Sequence, residues 1–455
     1  MSKNKQTADL GTGSIPKLMV KMAVPAVVAQ VVNLLYNIVD RIYIGQGVGA
    51  LALTGVGLCM PLMMFMNAFA MLAGSGGAPR AAIAMGRGDR NEADKIMSNS
   101  FSLLLLFSVG ITVLYLLAAE PLLLMFGASA DTLPYAMDYI GIISWGSVFT
   151  LLVMGLNPFL TAQGLSTVAM MTTVIGAVTN IVLDPIFIFG LGMGVRGAAL
   201  ATVMSQAVGA LWVTYTLSRS KKSVLKITPA GMKLDPKVFG PSLALGVSGF
   251  VMVATESLLS ISFNSSLQRY GGDLAVGSMT ILTSCIQLAQ MPASGIAQGC
   301  APITSFNFGA GNHDRVKKCF YLQLAVAAGY TVLFWIAAMV MPQVFVQIFN
   351  KDAALVEHTV WAMRIYMAGV FSLGFQLTCQ QSFVALGQAK VSLFMACLRK
   401  LILLIPLIFI LPMFFENKVF AVFLAEPISD IIAALATTGT FFFRFDKILK
   451  EGTLR

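Results

Sequence analysis

Apolar residues fill this chain in long blocks from about residue 16 to residue 443, separated by short polar segments. Reading the breaks gives roughly twelve runs of about 20 or more residues, each long enough to cross a hydrocarbon core as a helix. The pattern predicts an all-α polytopic membrane protein with twelve transmembrane helices. The longest polar interruption, "SRSKKSVLKITPAGMKLDPK" (218–237), falls near the midpoint. It predicts an N-terminal six-helix lobe over 1–217, a cytoplasmic linker over 218–237 and a C-terminal six-helix lobe over 238–455.

The two halves resemble each other. "GALALTGVGLCMPL" from Gly49 aligns with "GDLAVGSMTILTSCIQL" from Gly272, at an offset of 223 residues. The same offset pairs Pro79 with Pro302, Gly86 with Gly309, Gly88 with Gly311 and Lys95 with Lys318. An even number of helices per half returns the chain to one side, so the bundles are expected to be parallel repeats about an axis along the membrane normal, with a cavity between them. The acids do not follow the repeat: Asp40 falls opposite Phe263, and Glu256 opposite Asn33.

Composition agrees with this reading. The chain is 57% hydrophobic and 11% charged, more apolar surface than a soluble fold can hide. The net charge of +10 suggests nucleic acid only until its distribution is read. Most Lys and Arg fall in segments on one side, including Lys3, Lys17 and Lys21; Arg80, Arg87 and Arg90; Arg219, Lys221, Lys222, Lys226, Lys233 and Lys237; Lys390, Arg399 and Lys400; and Arg444 and Arg455. The opposite side takes Arg41, Arg196, Arg269, Lys351, Arg364 and Lys418. The positive-inside rule then places both termini in the cytoplasm and leaves no role for nucleic acid. The first apolar run is too long for a signal peptide. The six cysteines form no C-x-x-C pair, and His313 and His358 lie near loops, so core packing is expected rather than a metal site.

Polar residues inside the apolar runs carry the candidate chemistry. "TNIVLDPIFIFG" (179–190) places Asn180 and Asp184 one helical turn apart, with Pro185 after the acid. On the first span Asn33, Tyr36, Asn37 and Asp40 form one stripe. Such stripes must face each other or a wet cavity, because an acid facing lipid costs ~2.5–3.5 kcal/mol on insertion scales. Pro185 removes a backbone donor and frees a carbonyl near residue 181. Carbonyl and carboxylate oxygens suit Na⁺, and two close carboxylates in a low dielectric can equally hold a proton between them. Glu256 lies about twenty residues into the seventh span, and Glu426 and Asp430 lie one turn apart on the twelfth. The strings "GMGVRG", "GVSG" and "YGGD" lack the context that dinucleotide binding or intramembrane proteolysis requires, so no enzyme is expected.

The blocks "NIVLDPIFIFGLGMGVRGAALATVMSQ" (180–206), "NLLYNIVDRIYIG" (33–45) and "AMGRGDRNEADKI" (84–96) resemble bacterial multidrug and toxic compound extrusion (MATE) transporters of the MOP superfamily, nearest the MepA-like and DinF-related group. The resemblance spans essentially the whole chain. It implies a monomeric antiporter in the bacterial cytoplasmic membrane, which exports bulky cationic compounds in exchange for H⁺ or Na⁺ and needs no cofactor. It implies a coupling site, for a proton or Na⁺, at Asp40, Asn180, Asp184 and Thr202, with Tyr139 a weaker match. Pro25 matches the family's kink in the first helix, and Pro185 is a second expected kink. Asn33, Asn37 and Glu256 are expected to line the substrate cavity, and Glu426 and Asp430 either to line it or to serve lobe-internal structure. NorM-type relatives pair an acid at the position of Glu256 with one on the tenth helix, where this chain offers Gln376, Cys379, Gln380 and Gln381 instead. A flippase for lipid-linked oligosaccharides is the rival reading. Its anionic cargo calls for a basic cavity, whereas the mid-membrane charges read from the sequence are acidic.

Overall fold

The computed structural model describes residues 5–349 and 352–452, so Lys3, Lys351 and Arg455 lie outside the described residues. Among the described residues eleven helices are long and apolar enough to span a membrane. One of them, Pro236–Gly309, has 74 residues, several times what a ~30 Å core needs at ~1.5 Å rise per residue. It breaks at Gly272, whose φ of 63° and ψ of −159° only glycine adopts readily. The expected twelve spans are therefore present. They are α1 (Ile15–Gly47), α2 (Leu51–Gly86), α3 (Arg90–Met125), α4 (Leu133–Ala162), α5 (Ser166–Gly190), α6 (Gly194–Ser218), α7 (236–271), α8 (273–309), α9 (His313–Val340), α10 (Ala353–Ala385), α11 (Ala389–Met413) and α12 (Lys418–Glu451).

The repeat is written in the backbone. Gly49, between α1 and α2, has φ 112°, and its repeat partner Gly272 has φ 63°. Gly88 and Gly311 share positive φ in the same way, as do Gly164 and Gly387. Corresponding turns in the two halves thus need the same left-handed residue, one that lacks a Cβ. Each half builds its own apolar core. One runs through Met66, Leu104, Ile140, Leu156 and Val213, the other through Phe263, Leu282, Met363, Leu373 and Phe423.

The lobes meet mainly in the half of the bundle that carries the chain termini, and they meet backbone to backbone. A methyl group on Gly76 would lie 1.9 Å from the Ser242 carbonyl oxygen, and one on Gly246 1.9 Å from that of Leu72. Gly299 packs against the backbone of Ala23, and Gly295 against that of Val27. Arg80 donates to the Val238 carbonyl (2.6 Å) and to Ser242 Oγ (2.7 Å). A short N-terminal helix, Lys5–Thr12, joins this closed end. Leu10, Ile15, Leu18, Met19 and Met22 pack with Cys300, Ile303 and Cys319 of the second lobe. Arg315 donates to the carbonyls of Leu10 (3.0 Å) and Gly13 (2.7 Å), and Asn307 to that of Leu10 (2.9 Å).

The segment expected to be a surface linker is a strap bound to the first lobe. Leu225 is fully buried in the first lobe's core. The buried Gln163 Oε1 accepts from Ser223 Oγ (3.0 Å) and from the Val224 and Leu225 amides (2.7 and 3.2 Å). Asp94 accepts from the Lys226 amide (2.7 Å), and Asn99 donates to the Gly231 carbonyl (2.8 Å) while accepting from the Asp235 amide (2.9 Å). The sequence pattern misses this because the anchoring residues, Asp94, Asn99 and Gln163, lie far away in the chain.

Candidate functional site

Pro185 marks a change in the helix type of α5. It cannot donate a backbone hydrogen bond and its ring crowds the preceding turn; the α-helix Ser166–Pro185 ends at it, and a wider π-turn follows over Ile186–Gly190. Asn180 and Asp184 sit in the last α-turns before this change, fully buried. Pro25 lies within the continuous helix Ile15–Gly47, and Asp40 is buried near the other end of that helix.

These elements bring the predicted first-lobe residues together. Asn180 Nδ2 lies 3.4 Å from both Asp184 Oδ1 and Thr202 Oγ1. Tyr139 is buried beside Thr202 in the same cluster. The carboxyl groups of Asp40 and Asp184 lie within hydrogen-bonding reach of one another, with Tyr36 beside both. Asp40 Oδ1, Asn180 Oδ1 and Asp184 Oδ2 are buried acceptors without a donor. A buried polar oxygen is stable only when bonded. Two carboxylates offer no donor to each other, so one proton between Asp40 and Asp184 satisfies both. The same oxygens form a hard donor set that Na⁺ accepts.

In the second lobe the structure corrects the sequence reading. Arg399 and Lys400, assigned to the basic end loops, are buried within α11. They lie on a π-helical stretch, Leu398–Leu404, about ten residues from the start of the span. Arg399 bonds Asp430 Oδ1 (2.8 Å) and Glu426 Oε1 (3.3 Å). Ser429 Oγ donates to the Arg399 carbonyl (2.8 Å). Lys400 pairs with Glu256 and donates to the Met252 carbonyl (2.6 Å). The mid-membrane polar groups are therefore mixed rather than acidic: two basic side chains stand among three carboxyl groups. The missed signal was depth, since ten helical residues reach ~15 Å from the membrane edge.

The expected cavity residues separate accordingly. Glu426 and Asp430 are buried against Arg399 inside the lobe and do not line an open face, because the guanidinium holds both carboxylates inward. Glu256 differs: its side chain is 53% exposed while that of Lys400 is 5% exposed. A carboxylate exposed at that depth needs water rather than lipid around it. Asn33 and Asn37 are half-buried on α1, with the Asn37 amide donating to the Asn33 carbonyl (2.6 Å).

Twelve spans in two repeats, each with a buried polar centre, define a two-lobed membrane transporter. The family model for MatE matches residues 25–186 and 250–410, and the chain belongs to that family. It is a multi-pass membrane transporter, not an enzyme. The chain is 25% identical over 433 residues to the multidrug export protein MepA of Staphylococcus haemolyticus, covering 95% of each. It is 24% identical to MepA of Staphylococcus aureus strain N315, over 92% of each. The fold matches a crystal structure of MATE in the bent conformation (TM-score 0.93, 24% identity, 99% of this chain and 100% of that one). It also matches an outward-facing multidrug resistance MATE family transporter of the MOP superfamily (TM-score 0.91, 24% identity, 99% and 100%).

Proposed function

We propose that the chain is a multidrug exporter working by alternating access, and that proton entry through the Asp40–Asp184 pair drives it. The observation that carries this reading is the buried meeting of two carboxyl groups that needs a proton to be satisfied. Protonation and deprotonation of this pair alter the charge held in the first lobe by one unit. An ion drives a two-state change only by binding the two states differently, and a buried pair that opens to water in one state meets that requirement. Asn180, Thr202 and Tyr139 hold the pair in place, and Pro185 loosens α5 beside it. Na⁺ remains the second reading, supported by the three orphan oxygens.

Export is proposed from the likeness to the MepA proteins. The basic residues put the termini, and with them the closed end of the lobes, in the cytoplasm, so the described conformation opens outward. The first lobe moves with its strap as one body, and the monomer is the working unit. Glu256, half exposed at mid-depth, meets the cargo and favours bulky organic cations. The test is dye efflux from proteoliposomes under separately imposed pH and Na⁺ gradients. A response to the pH gradient alone supports proton coupling, and a response to Na⁺ alone replaces it with the second reading.

A further inference from the structure

The second lobe's polar cluster holds Glu256, Glu426 and Asp430 against Arg399 and Lys400, three carboxyl groups to two basic ones. The two cations are not equivalent. Arg399 is enclosed with Glu426 and Asp430, away from water. Lys400 is also enclosed, but its partner Glu256 turns its carboxylate to the open side. The ammonium is further fixed by the Met252 carbonyl at 2.6 Å, so it does not depend on Glu256 alone for position. An approaching cation thus meets a carboxylate whose charge is already matched from behind.

We propose that Lys400 is a specificity-determining residue that limits the charge the cavity accepts, an internal ammonium that matches the Glu256 carboxylate from behind and so suits monocations over dications. The inference rests on the reading of Glu256 as a cargo-facing group and names what sets its selectivity. At the open side Glu256 and Lys400 form a matched pair, and the Arg399, Glu426 and Asp430 groups lie enclosed behind it. A second charge on the same cargo finds no unmatched carboxylate and meets the field of the Lys400 ammonium in a medium that screens poorly. Removing the ammonium leaves the Glu256 carboxylate unmatched, and the preference then moves toward dications. Glu256 tolerates the loss because it is half in water. The reverse is not true, since neutralising Glu256 strands a buried ammonium.

The test uses the purified full-length chain in detergent and two probes with one ring system, ethidium with one positive charge and propidium with two. Affinities are measured by fluorescence for the wild type, Lys400→Gln, Lys400→Arg and the double variant Glu256→Gln/Lys400→Gln. The propidium-to-ethidium affinity ratio is expected to rise about tenfold in Lys400→Gln, to stay at the wild-type value in Lys400→Arg and to fall back in the double variant. Lys400→Met replaces Lys400→Gln if the amide variant aggregates. An unchanged ratio in both neutral variants, or an equal rise in Lys400→Arg, overturns the proposal. Wild-type protein that binds neither probe would instead remove the cationic-cargo reading beneath it.

Discussion

Gly86 and Gly309 occupy the same position in the two repeats, and each presses its bare Cα against the other's helix. A methyl group on Gly86 would lie 2.1 Å from the Phe306 carbonyl oxygen, and one on Gly309 would lie 2.0 Å from that of Ile83. Neither neighbour is a side-chain tip that could swing away. The two contacts close the terminal end of the cleft by symmetry. Gly86→Leu and Gly309→Leu should each push α2 and α8 apart and reduce the population closed at that end. Distance measurements between spin labels on the two lobes should show longer, broader distributions there, together with weaker efflux. Unchanged distances in both variants would mean that the closure is held elsewhere.

The strap gives a position-dependent result. A chain break at 233–234 leaves its anchors on Gln163, Asp94 and Asn99 mostly intact, whereas a break at 224–225 splits the Gln163 contacts. Co-expressed halves cut at the first position should retain substantial efflux, and those cut at the second should lose stability. Gln163→Ala strips three donors of their acceptor and should lower stability by on the order of 2 kcal/mol. Thermal unfolding in detergent checks the substitution, and equal efflux from both split proteins would argue for a strap without a structural role.

Glu256→Gln has two consequences that its partner separates. It removes the exposed charge, so export of monocationic dyes should fall more than export of neutral compounds. It also leaves Lys400 buried without its counter-ion, which lowers stability by less than the ~3–5 kcal/mol of a fully buried pair, because Glu256 is half exposed and the Met252 carbonyl still binds the ammonium. Glu256→Gln/Lys400→Gln should therefore be more heat-stable than Glu256→Gln alone, while its preference for cations stays low. A double variant no more stable than the single one would show that the ion pair does not govern the local fold.

Much of this architecture is legible in the sequence where a feature is local or repeats. The Asn180–Asp184 spacing and Pro185 announce a polar turn and a helix irregularity, and both are found. The Gly49–Gly272 alignment marks two turns that the backbone makes with positive φ. What escapes is long-range partnership. Arg399 and Lys400 read as loop charges because the acids that neutralise them lie on α7 and α12, and nothing beside them in the chain hints at a pair. The N-terminal helix reads as part of the first lobe, yet its Leu10 carbonyl is bound by Arg315 and Asn307 of the second. Polar residues that anchor the strap are likewise single letters within otherwise ordinary helices.

Asp40 and Asp184 carry the central claim. Asn at either position keeps volume and hydrogen-bonding capacity but cannot exchange a proton, so Asp40→Asn and Asp184→Asn should leave membrane insertion intact. Probe binding in detergent should also survive, because Glu256 lies in the other lobe. The most direct measurement is dye efflux from proteoliposomes under an imposed pH gradient, with Na⁺ held equal on both sides, for the wild type and each variant. Proton coupling through the pair predicts gradient-driven efflux in the wild type and its loss, by at least tenfold, in both variants at unchanged probe affinity. Near-normal uphill efflux by Asp40→Asn and Asp184→Asn would contradict it.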